Sequence, residues 1–176
     1  MTRIVSRKVH GNVGQFDVNL PLAGPHGIEC RSGGANGDYT LVFTFANTLT
    51  SVDGASVTSG TGSVSSNHID SNDSHNYVVA LTGVTNAQTI NVSLTNVTDS
   101  AGNFSSAVSA SMGVLIGDVN ATGVVTSGDT NLCKAQALQP VTSANFRCDV
   151  NASGSITTGD VNIIKQNALT RLPTAP

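Results

Sequence analysis

Two stretches of this chain, DVNATGVVTSGD from Asp118 and DVNASGSITTGD from Asp149, are near copies lying 31 residues apart. Each carries oxygen-bearing side chains at positions 1, 3, 5 and 12 and a glycine at position 6. Loops of this kind wrap one hard cation. Calcium takes roughly six to eight oxygens at about 2.3–2.6 Å, and this spacing supplies them from one short segment. Asp118 and Asp149 open the loops with carboxylates, Asn120 and Asn151 add amide oxygens, and Thr122 and Ser153 add hydroxyls. Gly123 and Gly154 permit the left-handed turn that folds the loop back on itself. Val124 and Ser155, at position 7, are expected to offer backbone carbonyls, which leaves their side chains free to differ. Thr126 and Thr157 are expected to act through water, and Asp129 and Asp160 to close the shell. The expectation is two calcium ions. With two carboxylates per loop a filled site is near neutral, which places affinity at about 10⁻⁵–10⁻³ M, suited to calcium-rich surroundings.

Each loop leads into a helical stretch, 130–138 and 161–169. Leu132, Ala135 and Leu138 in the first, and Ile163, Ile164, Ala168 and Leu169 in the second, fall at three- and four-residue spacing. Each helix therefore has one apolar face to bury, and the two can bury theirs against each other. At position 8, Val125 and Ile156 are placed to pair the loops back to back. A loop–helix unit repeated at fixed period is a poor candidate for chance. Segments 118–138 and 149–169 resemble the two repeats of a type I dockerin, which lacks the entering helix of a true EF-hand. The resemblance implies a calcium-dependent fold and, as partner, a cohesin-like protein recognised through loop positions 10 and 11. Those positions are Ser127-Gly128 and Thr158-Gly159 here, so glycine removes half of that contact set in both repeats.

Residues 1–115 read as β. Short runs of β-branched and aromatic residues, divided by Gly, Asn, Asp and Ser, predict strands at 3–9, 15–20, 39–45, 55–59, 63–69, 77–81, 89–94 and 106–114. Leu41, Phe43 and Phe45 alternate with Val42 and Thr44, and Ile90, Val92 and Leu94 alternate with Asn91 and Ser93. Turn signals this frequent favour two packed sheets over βαβ units. The stretch VTDSAGN from Val97, with Phe43-Thr-Phe before it, resembles bacterial immunoglobulin-like domains. The fold expected is thus mainly β: an immunoglobulin-like β-sandwich over 1–115, then a small α-helical dockerin-like module over 116–172. Asp99 and Asn103 read as Asx-turn residues. Asp70 and Asp73 read as a solvated turn, with a further calcium site as the alternative. Leu115 and Ile116 are candidates for the joint, because almost no linker separates the two parts.

Charged residues make up only 11% of the chain and the net charge is −3, so no basic surface points to nucleic acid. No apolar run is long enough to span a membrane. After Met1 the chain lacks the apolar stretch of a secretory leader; an extracellular or cell-surface location implies that a leader is absent from this sequence. Arg3, Arg7 and Lys8 supply three of the eight basic residues. They mark 1–12 either as a strand that docks on a neighbour, by donation or at an edge, or as an edge whose charges oppose aggregation. Of the three cysteines, Cys133 and Cys148 are expected to form a disulfide, with Cys30 unpaired.

Catalytic signatures are missing: there is no G-x-S-x-G, no H-E-x-x-H and no phosphate-binding glycine loop. His10, His26, His68 and His75 lack ligand spacing and read as surface or turn residues. Glu29 is the only glutamate. The chain is not expected to be an enzyme. The leading expectation is a calcium-stabilised extracellular structural protein that assembles with itself through its sandwich and first strand. The other is the C-terminal adaptor module of a secreted protein that docks to a cohesin-like receptor.

Overall fold

A computed structural model describes residues 1–173. Strand outweighs helix, 41% to 13%, so the chain is mainly β. The strands are β1 (Arg3–His10), β2 (Gly14–Asn19), β3 (Gly27–Glu29), β4 (Tyr39–Thr44), β5 (Leu49–Ser51), β6 (Gly54–Ser59), β7 (Ser63–Ile69), β8 (Asn76–Thr82), β9 (Gln88–Asp99) and β10 (Phe104–Val114). Two helices follow, α1 (Ser127–Gln136) and α2 (Thr158–Gln166). One five-stranded sheet runs β2-β1-β4-β8-β7. The other runs β3-β10-β9-β5, with β6 also pairing β9.

The alternation read from sequence places the core. Leu41 and Phe43 of β4 and Val79 and Leu81 of β8 are fully buried in one cluster with Ile90, Val92 and Leu94 of β9 and Met112 of β10. The two sheets therefore share one apolar interior, each strand giving it every second side chain. β9 runs five residues past the predicted end at Leu94. Asn96 adopts φ +48, which resets the phase so that Val97 is the next buried residue. Alternation breaks there although the strand does not. β3 and β5 carry no sequence signal, because three residues are too few to show a period.

β1 corrects an expectation. It is paired by β2 on one side, Val5 opposite Asn19, and by β4 on the other, Ile4 opposite Phe43. It is neither an edge strand nor a strand available for donation. Arg3 and Arg7 both reach Asp17 on β2, at 3.2 and 2.9 Å. Lys8 Nζ donates to the carbonyls of Ser32 and Asp38 at 2.7 and 3.1 Å and lies over the Tyr39 ring. The three cations face partners within their own chain.

A second core lies at the end of the sheets. Leu115, Val119, Val125, Cys133, Val150, Ile156 and Ile164 form it, joined by Ile28 of β3 and by Cys30. The C-terminal segment is thus not a free appendage. β3 pairs in parallel with β10, and the pairing continues as Leu115 and Gly117 donate to the carbonyls of Glu29 and Cys30. Arg147 fastens the same corner, donating to the carbonyls of Val119, Asp118 and Ile28 at 2.7, 3.0 and 3.1 Å. Among the described residues, no helix is long and apolar enough to cross a membrane.

Candidate calcium-binding module

The two loops repeat not only in sequence but bond for bond. Asp118 Oδ1 accepts from the Thr122 amide at 3.0 Å, and Asp149 Oδ1 from the Ser153 amide at 2.9 Å. Asn120 Oδ1 and Asn151 Oδ1 accept from the same two amides at 3.2 and 3.0 Å. The Oδ2 atoms of Asp118 and Asp149 accept from Gly123 and Gly154 at 2.7 and 2.8 Å. Both glycines hold positive φ, +84 and +90, as position 6 requires. Ala121 and Ala152, at position 4, also hold positive φ, +59 and +54. Strain repeated at the same place in both copies belongs to a loop shaped for a ligand.

The donor set converges as a hard cation needs. The hydroxyl of Thr122 lies 3.4 Å from Asp118 Oδ1 and 3.2 Å from the Val124 carbonyl oxygen. Ser153 repeats this, at 3.3 Å from Asp149 Oδ1 and 3.2 Å from the Ser155 carbonyl oxygen. One proton cannot satisfy both neighbours of either hydroxyl. Oxygens at such separations are spaced like adjacent ligands of an ion held at about 2.3–2.6 Å. Asp129 and Asp160 face the same hollows, each accepting from the position-3 amide (Asn120, Asn151) at 3.2 Å.

Electrostatics point the same way. Asp118, Asp129, Asp149 and Asp160 are all fully buried. Among the described residues no basic side chain forms an ion pair with either carboxylate of the first loop. Burial, with the neighbouring Asp129 adding to it, pushes the Asp118 carboxyl above the usual carboxylate range, against the Gly123 and Thr122 amides and the nearby Arg147 charge. A buried pair of carboxylates without a directly bonded counter-charge costs several kcal/mol, so the donor set fits a bound dication. Among the described residues no group of three His, Cys, Asp or Glu side chains gathers at one point. The loops offer two carboxylates each, and their remaining oxygens come from amide, hydroxyl and carbonyl groups.

The loops also begin the helices. Thr126 accepts from the Gly128 amide, and Asp129 Oδ2 accepts from the Thr126 amide at 2.8 Å; Thr157, Gly159 and Asp160 repeat this. These capping boxes set the helix starts three residues before the predicted ones. Thr126 and Thr157 therefore act as caps. The position-11 glycines supply the capping amides, and a Cβ on either would lie 3.2 Å from the capping hydroxyl.

The helix faces match the expectation at Ile163 and Ile164 and differ elsewhere. α1 buries Thr130 and Cys133, and α2 buries Val161 and Ile164. Leu138 and Leu169 lie past the helix ends in left-handed conformation and are 89% and 81% exposed; Leu132 is exposed as well. Val125 and Ile156 are buried, yet they do not hydrogen-bond each other. Val125 exchanges backbone bonds with Leu169 and Thr170, while the Ile156 carbonyl accepts from Leu138. Each loop thus pairs with the chain leaving the other repeat's helix. Cys133 and Cys148 form a disulfide with Cα atoms 5.1 Å apart. Cys30 is free and fully buried, and burial pushes its thiol up to about 12.

His10, expected as a surface or turn residue, lies in the interior instead. It is fully buried, and its Nδ1 lies 2.8 Å from Asp149 Oδ2. Hydrogen bonds from His10, Gly154 and Ser153 hold the Asp149 carboxyl below the usual range although burial opposes them. Behind His10 stand Arg31 and Glu29, also fully buried. The one hint in the sequence is a sole glutamate two residues from an arginine, a pair that shares a face when extended. His26 and His68 are exposed. Asp70 and Asp73 accept the amides of Asn72 and His75, and Asp99 those of Ala101 and Asn103, as Asx turns do.

No curated protein and no solved structure matches the chain. Residues 116–169, which hold both loops and both helices, match the family model of the dockerin type I domain, and they follow a β-rich region.

Proposed function

We propose that residues 116–172 are a calcium-dependent docking module that fastens the β region to a cohesin-like receptor outside the cell, and that the chain is a binding protein rather than an enzyme. Dockerin type I domains bind calcium, typically partner cohesins, and occur in secreted or cell-surface proteins. The observation that carries the reading is a repeat on the surface. Ser127, Asn131, Lys134 and Leu138 recur 31 residues later as Thr158, Asn162, Lys165 and Leu169, and all eight are exposed. Core packing does not require likeness at exposed positions, whereas a shared binding chemistry does. Thr126, Ser127 and Lys134 line a groove of about 550 Å³ with Lys165, Ala168 and Leu169. Leu138 and Leu169 leave large apolar side chains exposed beside polar and charged ones, as docking surfaces rimmed by polar residues do. Two calcium ions, one per loop, are part of this reading, as are an immunoglobulin-like lineage for the two-sheet region and an oxidising location suited to the disulfide.

Calorimetric titration of the whole chain against a panel of cohesin domains tests the proposal. Binding should require calcium, vanish with EGTA and weaken at least about tenfold when Ser127 and Thr158 are both changed to Asp, since a desolvated charge at an interface centre costs more than 1.4 kcal/mol. Failure to bind any cohesin, or binding indifferent to both treatments, would overturn it.

A further inference from the structure

The two loops match internally but not in what lies behind them. Asp118 Oδ2 accepts from Gly123 alone, and a Cβ on Gly123 would meet nothing within 4 Å. The second loop is covered. The turn between β1 and β2 lies against it backbone to backbone: the Gly11 amide donates to the Ala152 carbonyl at 3.0 Å, and a Cβ on Gly154 would lie 3.0 Å from the His10 carbonyl oxygen. His10, at the end of β1, reaches Asp149 from this turn across 139 positions of sequence.

The state of His10 follows from its neighbours. Arg31 Nη1 lies 3.0 Å from His10 Nε2, and a guanidinium only donates. Nε2 is therefore the acceptor, and the Nδ1 hydrogen is donated to Asp149 Oδ2. Arg31 is itself fixed, because each of its five side-chain N–H groups has a partner. Nε and one Nη2 hydrogen go to Glu29 at 2.8 and 2.6 Å, the other Nη2 hydrogen to the Ser6 carbonyl, and Nη1 to the Phe16 carbonyl and His10. Ser6 Oγ completes the line, donating to Glu29 at 2.5 Å. Phe16 of β2 and Phe146, just before the second loop, stack at 5.3 Å, and His10 meets both edge-on. A fully satisfied buried network of this kind holds its last member in one orientation.

We propose that His10 is a positioning residue for the second loop, with Arg31 and Glu29 fixing its tautomer, so that the second site is built jointly by both parts of the chain while the first belongs to the C-terminal module alone. The inference rests on the calcium reading above. His10 and Gly154 hold Oδ2 of Asp149 and the Ser153 amide holds Oδ1, so the carboxylate that would serve the ion keeps one orientation. An outer partner that orients a ligating carboxylate typically contributes about 10–100-fold in metal affinity. Calcium in the second loop should accordingly stiffen the turn between β1 and β2, and calcium in the first loop should not.

Two measurements on the whole chain decide this. In amide hydrogen exchange, calcium should slow exchange at residues 11–16 in the wild type and in Asp129→Asn, but not in Asp160→Asn. In calorimetric titration, His10→Leu should weaken one of two calcium sites about 10–100-fold and spare the other. His10→Asn, whose amide can donate where Nδ1 does, should restore most of the loss. If His10→Leu does not fold, the exchange comparison still decides. Calcium uptake with an unresponsive turn, a turn that responds equally to both loops, or wild-type affinities in His10→Leu would overturn the inference and leave the calcium reading intact. No calcium uptake by the wild type would overturn both.

Discussion

Gly11 sits where no side chain fits. Its φ is +48, and a Cβ there would overlap the carbonyl oxygen of Ser153 in the second loop. Gly34 has φ +68 but open space around it. Gly11→Ala should therefore cost about 2–3 kcal/mol or more in urea denaturation, from strain and clash together, while Gly34→Ala should cost only about 1 kcal/mol for its conformation. Equal losses would mean that the turn does not press on the loop. Cys30 offers a second test at this scale. Buried and with its thiol raised to about 12, it should stay unreactive toward a disulfide reagent in the native protein and react once in guanidinium.

At the scale of elements, the disulfide and the capping boxes hold the helical module together. Cys133 on α1 and Cys148, just before the second loop, are 15 residues apart. A loop of that length corresponds to about 3 kcal/mol in the chain-entropy account. Cys133→Ala with Cys148→Ala should lower unfolding free energy by roughly that amount, with wild-type protein under reducing agent behaving alike. An unchanged denaturation midpoint would show that the bridge adds nothing to the packing around Cys133. Capping places the helix starts inside the loops, so an ion there and the first turn of each helix share the same aspartate. The predicted strands were legible wherever alternation ran for five residues or more. The short strands β3 and β5 were not, because a period cannot be read from three residues. The apolar faces of the helices are legible only in part: Ile164 is buried and Ile163 packs beside it as the spacing implies, whereas Leu138 and Leu169 fit the spacing but lie where the chain has turned left-handed.

For the whole molecule, the shared second core and the His10 network predict that the two parts unfold together. Calcium at about 100 times its dissociation constant should add roughly 2.7 kcal/mol per site by mass action. Scanning calorimetry should show one transition that calcium moves upward as a unit; two transitions, of which only one moves, would contradict the coupling. Acid should act through Glu29 and Asp17. Arg31 holds the Glu29 carboxyl below its ordinary value against the pull of burial, and Arg7 does the same for Asp17. A lowered folded pKa means that the unfolded state binds more protons in acid. The stability is therefore present above the ordinary carboxylate range, about pH 4–5, and is lost as pH falls below it through the folded values. Glu29→Gln should cost about 3–5 kcal/mol at neutral pH by leaving Arg31 buried without its counter-charge, and should flatten the acid limb of the stability curve.

The sequence by itself determined the two loops, because their oxygen donors lie within twelve consecutive residues and need only a local turn to converge. It determined the alternating strands for the same reason: a period of two is a property of neighbours. Only the tertiary structure decided where β1 lies, since pairing on both flanks joins residues separated by up to 41 positions, as Arg3 is from Thr44. That placement turned Arg3, Arg7 and Lys8 from candidates for assembly into internally satisfied cations. Only the tertiary structure joined His10 to Asp149. A buried hydrogen bond between distant residues leaves no periodic mark on the chain, and its partners become visible when the fold has removed water from both.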